Sequence, residues 1–186
     1  MKFLLITLSI ILASCDMAHQ KASNDAPVEG NDNPPIEDDD RGETPPNDNQ
    51  PLPPSDGYLT AARQIFNATN QFRLSQGQPP LGFSLEWSWA AYEWSRKQAE
   101  AGDISHDGFP QERIGSVQSR FPNFDTSFQS GGENVLWNMT GVSVMVNQWA
   151  NSPGHRTNML RGYSVMGAGA YEKNGRYYGT QIFILE

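Results

Sequence analysis

The chain has very little cysteine: Cys15 is the only one in 186 residues, so no disulfide can form within the chain. The G-x-S-x-G motif, which holds the nucleophile of many serine hydrolases, is also absent. Because the single cysteine lies close to the N-terminus, the sequence gives no support to a cysteine or serine hydrolase of the familiar types.

The apolar run at the N-terminus is short. It extends over 11 residues from Phe3 to Ala13 and follows the positive charge of Lys2. This is too short to span a bilayer as a helix and is typical of a secretory signal. The run ends in Leu-Ala-Ser-Cys, which looks like a bacterial lipobox, so residues 1–15 are predicted to be a lipoprotein signal peptide with Cys15 lipidated. The alternative is an ordinary signal peptide with a chance cysteine. Either interpretation predicts an extracytoplasmic protein, and lipidation would anchor it to a membrane of the cell envelope.

Residues 16–57 contain almost no large apolar side chains. They carry 11 Asp or Glu against Lys21 and Arg41, and 8 of the 13 prolines. A segment of this composition cannot bury enough surface to offset its ordering entropy, so we expect a disordered acidic tether. An acidic binding tail is the alternative interpretation.

Residues 58–186 lack a surplus of either charge, with 10 acidic and 10 basic side chains. Without a basic stripe, nucleic-acid binding has little electrostatic support. All five tryptophans and all six tyrosines lie in this region. Its 129 residues are enough to bury a sizeable core without disulfides or a structural metal, and we expect one monomeric domain.

The spacing of apolar residues predicts helices first and paired strands last. Residues 58–76 and 85–101 repeat apolar side chains every three or four positions, and Ser84 is a plausible N-cap of the second helix. Residues 110–117, 142–149 and 152–160 are shorter helical candidates, and residues 134–139 form a candidate buried strand. Asn174-Gly175 is a strong hairpin signal between strands at 163–172 and 176–185. This order favours an α+β domain in layers.

Several short motifs carry polar side chains that are typical of functional sites. They are Asn70-Gln71-Phe72-Arg73, Gly77-Gln78-Pro79-Pro80-Leu81, Ser105-His106, Gly132-Glu133-Asn134, Ser152-Pro153-Gly154-His155-Arg156 and Gly179-Thr180-Gln181-Ile182-Phe183. We expect His106, Glu133 and His155 each to lie in a Gly- or Ser-rich turn. In this order the motifs resemble the CAP superfamily of cysteine-rich secretory, antigen 5 and pathogenesis-related proteins, and above all its bacterial SCP-like secreted branch.

The resemblance covers about residues 58–186 and implies an α-β-α sandwich with a central antiparallel sheet and a cleft on one side. It also implies that His106, Glu133 and His155 meet in that cleft. Family members from eukaryotes add a second acid three residues after a helical tryptophan. Here that tryptophan corresponds to Trp149 and the third residue on is Ser152, so the second acid is missing.

Three functions are compatible with this cleft. It binds a lipid, peptide or glycan, with or without a divalent cation such as zinc on His106 and His155. Alternatively it is a metal-dependent hydrolase, with Glu133 as general base and the two histidines completing a catalytic group. The third alternative is a scaffold that displays loops to partners and has a vestigial cleft. From the residues alone, two histidines satisfied by hydrogen bonds are the simpler interpretation.

Other side chains near the motifs are secondary candidates for the ligand cleft. They are Ser105, Asn134, Ser152 and Arg156. The two serines fit turn and capping roles first. Arg113 and Arg156 could orient an anionic ligand, although surface salt bridges are the simpler expectation. The tryptophans at helical positions are expected in the core rather than as sugar platforms.

Overall fold

The structure, a computed structural model, describes residues 9–12 and 57–186. The helices are α1 (Gly57–Ser75), α2 (Leu85–Ala101), α3 (Gln111–Arg120), α4 (Met145–Asn151) and α5 (Pro153–Leu160), with a 3-10 turn at Val142–Val144 before α4. The strands are β1 (Ser9–Leu12), β2 (Gly82–Phe83), β3 (Ser130–Asn138), β4 (Val165–Lys173) and β5 (Arg176–Leu185). Within these ranges the strands form one sheet in the order β1-β3-β5-β4-β2.

The three long strands form the antiparallel centre of the sheet, as predicted. β5 pairs with β3 from Ser130↔Leu185 to Asn138↔Tyr177, and with β4 on its other side. The short strands β1 and β2 run parallel to β3 and β4, so the complete sheet is mixed. At the β4–β5 hairpin, Asn174 and Gly175 have φ of 56° and 75°, which is the backbone that an Asn-Gly turn favours.

Helices cover both faces of the sheet, which gives the predicted α-β-α sandwich. One core cluster packs α1, α4 and α5 on the face of Met166 and Ala168; the other packs Trp87 of α2 and Val117 of α3 on the face of Ile182 and Ile184. Trp87, Trp89, Trp94 and Trp149 are all buried, so the prediction that they are core residues is confirmed.

Helix α2 lies against β4 without a layer of side chains between their backbones. A Cβ atom at Gly167 would overlap the backbone of Trp87 and Ser88, and one at Gly169 would overlap that of Tyr92. The Oγ of Ser95 also donates to the Gly169 carbonyl at 3.2 Å. Ser84 caps this helix as predicted, because its Oγ accepts from the Trp87 N–H at 3.1 Å.

The motif in α1 ties this helix to the segments that follow it. The Asn70 side chain bonds both the N–H and the C=O of Leu81, at 2.8 and 3.0 Å. The buried Arg73 guanidinium donates to the carbonyls of Pro79, Met159 and Arg161. Arg73 therefore joins α1 to the C-terminal end of α5.

Three local predictions differ from the structure. The turn expected at Gly131-Gly132-Glu133 is wrong: these residues belong to β3, which begins at Ser130 rather than at Asn134. Full pairing with β5 supplies the hydrogen bonds that override the weak strand preference of glycine. The helix after Pro110 continues to Arg120, and the helix expected at 142–149 opens with a 3-10 turn and ends at Asn151.

The predicted signal peptide and tether, with Cys15, lie outside the described residues except for Ser9–Leu12 and Gly57. Within the described ranges, no helix has both the length and the apolar character needed to cross a membrane.

Candidate functional site

The site is built on Glu133 in β3, whose side chain is completely buried. Two nitrogens of Arg113 hold its carboxylate: Nε donates to Oε2 at 2.7 Å and a terminal guanidinium nitrogen donates to Oε1 at 2.9 Å. Such a two-point ion pair fixes a carboxylate in position and compensates its charge.

Arg113 is itself fixed from other directions. Its guanidinium stacks on the ring of Trp94, 3.3 Å from the ring centroid, and donates to the Asp107 carbonyl at 2.9 Å. Only 1% of the residue is exposed, so the expected surface salt bridge is instead a buried one. Sequence reasoning missed that Arg113 belongs to this site. The sequence did contain a signal for this role. Glu133 has no second acid in the motif, and Arg113, a basic residue that could compensate its charge, lies in the helix that precedes β3.

His106 is brought to Glu133 by the loop between α2 and α3. Its Nδ1 lies 2.9 Å from Glu133 Oε1. Since a carboxylate accepts, Nδ1 carries the proton of the neutral ring, and Nε2 is then the nitrogen with the lone pair. The loop is held by α2, because Trp94 Nε1 donates to the Ser105 carbonyl at 3.0 Å.

His155 lies in the first turn of α5, a helix of the other layer. Its side chain is buried, and its Nε2 has no hydrogen-bond partner among the described residues. Burial, reinforced by the nearby charge of His106, lowers the pKa of His155 to about 4. The imidazole is therefore neutral at physiological pH and carries the lone pair that a ligand or a cation requires.

A chain of buried amides places α5 against β3. The Asn134 Nδ2 donates to the His155 carbonyl and to Gln181 Oε1, and Gln181 in turn donates to Thr69 Oγ1 in α1. Asn158 donates to Asn134 Oδ1 and to the Glu133 carbonyl. Asn134 thus positions His155 through its backbone instead of facing a ligand.

Two residues with unpartnered polar atoms lie beside Gly132. The buried Asn158 Oδ1 and Tyr163 Oη, like His155 Nε2, have no hydrogen-bond partner within the described part of the chain. A Cβ at Gly132 would lie 2.5 Å from Tyr163 Oη and 3.5 Å from Asn158 Cγ, so these groups flank the bare backbone of β3. Buried polar atoms normally find a partner, and unpaired ones in a cleft indicate where a ligand or water binds.

The remaining candidates have other contacts. Ser105 Oγ accepts from the Asp107 N–H at 3.3 Å, as its expected turn role requires. Ser152 lies at the turn between α4 and α5, but its side chain makes no capping hydrogen bond to α5. Arg156 donates to Gln76 and lies over the ring of Phe72, on the α1 side. The structure therefore brings together His106, Glu133 and His155, with Arg113 added, and leaves Arg156 outside this group.

The donor set fits a divalent cation only in part. A neutral His155 with an unpartnered Nε2, and a His106 oriented by a carboxylate, are suitable nitrogen ligands. Residues 9–12 and 57–186 contain no group of three or more His, Cys, Asp and Glu side chains placed to hold a metal. Glu133 is engaged by Arg113, so protein would supply two ligands and leave the other positions to water or a bound molecule.

Comparison with known proteins assigns the chain to a family. The profile of the CAP family, described as the cysteine-rich secretory protein family, matches residues 66–185. The uncharacterized membrane protein YlbC of Bacillus subtilis is 31% identical over 126 residues, which is 67% of this chain and 34% of YlbC. The uncharacterized protein YkwD of the same organism is 28% identical over 123 residues, which is 66% of this chain and 46% of YkwD.

Solved structures show the same fold. An extracellular protein of Bacillus anthracis with an SCP domain superimposes with a TM-score of 0.59 at 28% identity, over 74% of this chain and 45% of that protein. An outer surface protein of Borrelia burgdorferi gives a TM-score of 0.56 at 17% identity, over 67% of this chain and 91% of that protein. The chain thus spans between a third and a half of the curated relatives it matches.

Proposed function

Because the chain belongs to the CAP family, we propose that it is an extracytoplasmic, membrane-attached protein whose His106–His155 cleft binds a ligand. The observation that carries the proposal is the buried, neutral His155 with an unpartnered Nε2, to which the unpartnered Asn158 Oδ1 and Tyr163 Oη add. Such groups lose hydrogen bonds to water on folding, and a ligand that bonds to them recovers that loss.

Ligand binding is favoured over hydrolysis because the Glu133 carboxylate is held in an ion pair. A general base must accept a proton during the reaction, and both oxygens of this carboxylate are already engaged by Arg113. The carboxylate is better placed to orient His106, which points the other ring nitrogen away from Glu133. A divalent cation, with zinc as the first choice, is the simplest probe of a site that contains both imidazoles.

Zinc titration tests the proposal. We expect isothermal titration at pH 7.5 to show one zinc site, and His106→Ala or His155→Ala to weaken it at least about tenfold because each removes a nitrogen ligand. Glu133→Gln should weaken it less, since an amide oxygen can still orient His106. The third histidine of the chain, His19, lies in the predicted tether, so His19→Ala is the matched control and should leave the site unchanged.

Equal zinc binding by the unmodified chain and by the double variant of His106 and His155 would contradict the metal site. A display scaffold with a vestigial cleft would then be the better account. Loss of binding in His19→Ala alone would show that the tether, rather than the cleft, takes the metal.

Membrane attachment is proposed to occur through a lipid on Cys15. The support is the short apolar run that ends in Leu-Ala-Ser-Cys, together with a relative whose name describes a membrane protein. We expect Cys15→Ser to move the protein from the membrane to the soluble fraction in cell fractionation, because stable anchoring needs lipid chains attached to this thiol. Ser14→Ala keeps a small residue before the cysteine and should remain in the membrane fraction. Retention of Cys15→Ser with the membrane would overturn this assignment.

A further inference from the structure

The outer edge of β3 is paired only along its N-terminal half. β5 covers the other edge from Ser130 to Asn138, whereas β1 pairs with residues 130–133 alone, from Ser9↔Ser130 to Leu12↔Glu133. Where β1 is withdrawn, the edge presents unpaired N–H and C=O groups. Such an edge is a template on which another extended chain can pair.

The two faces of this edge have different chemistry. A Cβ at Gly131 would lie 3.1 Å from Phe128 and 3.5 Å from Phe109, so that face is apolar. A Cβ at Gly132 would meet Tyr163 and Asn158, whose Oη and Oδ1 atoms are unpartnered in the described residues. Because the two glycines have no side chains, a neighbouring strand finds room on both faces.

We propose that residues 130–133 of β3 are a docking site for an extended apolar peptide, which adds to the sheet as a parallel strand. The inference rests on the proposed function, because it names the class of ligand that the cleft takes. Its support is β1 itself: the segment Ser-Ile-Ile-Leu of this chain lies on the edge in that orientation. A peptide residue in register with Gly131 lies on the side of Phe109 and Phe128, and the next residue lies on the side of Tyr163 and Asn158.

The test uses the full chain with residues 1–15 retained, as before any removal of the predicted signal peptide, and with Ile10→Pro and Ile11→Pro, which remove two backbone N–H donors from β1 and so release the edge. The probe is a fluorescent synthetic peptide with the sequence of residues 7–14. In fluorescence anisotropy we expect it to bind this variant at least about tenfold more tightly than it binds the unmodified chain, in which tethered β1 competes. Near-ultraviolet circular dichroism of the buried tryptophans checks that the variant is folded.

Backbone methylation supplies the matched control. Alternate residues of an extended strand direct their N–H and C=O groups to opposite edges. Peptides N-methylated at the position of Ile10 or of Ile11 keep the same side chains, and we expect only one of the two to bind. Hydrogen exchange should show slow exchange in the unmodified chain at those amides of residues 130–133 that face β1, faster exchange of these amides in the proline variant, and recovery when peptide is added; the amides that face β5 should stay slow throughout.

Absence of peptide binding to the folded proline variant would overturn the proposal. Equal binding of both methylated peptides would also overturn it, since that would show apolar adsorption without strand pairing. Zinc titration of the same variant separates the two proposals. Zinc binding without peptide binding leaves the His106–His155 site in place and removes the docking site, and peptide binding without zinc binding does the reverse.

Discussion

Replacement of Arg113 by methionine is expected to lower the free energy of unfolding by about 3–5 kcal/mol. The Glu133 carboxylate is completely buried, and among the ion pairs that the described residues form, Arg113 is its permanently charged partner, whereas His106 donates from a neutral ring. Methionine fills a similar volume over Trp94 but removes the compensating charge. The cost is therefore that of a buried carboxylate without its partner. Urea denaturation at pH 7.5 measures it.

Arg120→Met is the matched control for this change. Arg120 is in the same helix and also stacks on a tryptophan, with its guanidinium 4.5 Å from the Trp89 ring centroid, but it is partly exposed. We expect this variant to lose at most about 1 kcal/mol. Adding Glu133→Gln to Arg113→Met removes the orphaned charge and should recover a substantial part of the stability. Equal losses in Arg113→Met and Arg120→Met would show that the buried pair has no special role.

Stability is expected to fall as the pH drops from about 6.5 to about 4, with His155 as a main cause. The pKa of His155 is lowered to about 4 in the folded chain, first by burial and then by the charge of His106. An unfolded histidine titrates near 6.5, so between these values the unfolded state binds more protons and acid favours unfolding. Above about pH 6.5 this contribution is constant. At about 1.4 kcal/mol per pH unit, and less near pH 4 where the folded histidine also becomes protonated, the loss over this window amounts to roughly 3 kcal/mol.

The measurement compares denaturation curves of the unmodified chain and His155→Gln from pH 7.5 to 4, with a chelator present to exclude bound metal. Glutamine does not titrate, so the difference in free energy between the two proteins should shrink as the pH falls. His106 and Glu133 are common to both chains, and their titration largely cancels in that difference. A difference that stays constant with pH, or a His155 that titrates near 6.5 by nuclear magnetic resonance, would contradict the assignment.

The sequence correctly predicted the elements that are stabilised by contacts between residues close together in the chain. The Ser84 cap, the apolar stripe of α2 and the Asn-Gly turn of the last hairpin each depend on neighbours a few residues away. β3 was harder, because its Gly-Gly segment becomes a strand only by pairing with β5, about fifty residues later in the chain. No local pattern contains that information.

The candidate site shows the same division. His106, Glu133 and His155 were found from motif resemblance, which reflects the spatial arrangement of a family. Arg113 was misjudged as a surface residue, because its burial depends on Trp94 stacking beneath it and on Glu133 arriving from another layer. Tyr163 and Asn158 carry no motif, and their unpartnered atoms become visible only when β3 and α5 are packed together.

The backbone contact of α2 with Gly167 and Gly169 has a consequence for recognition. No side chain lies between the two elements there, so no change of rotamer can let the helix slide along the sheet. Trp94 in this helix supports Arg113, and Arg113 supports Glu133 and, through it, His106. This side of the candidate site is therefore preorganised. The proposed ligand would meet a rigid surface, so little free energy would be lost to reorganisation and selectivity would arise from the fit of the ligand's shape.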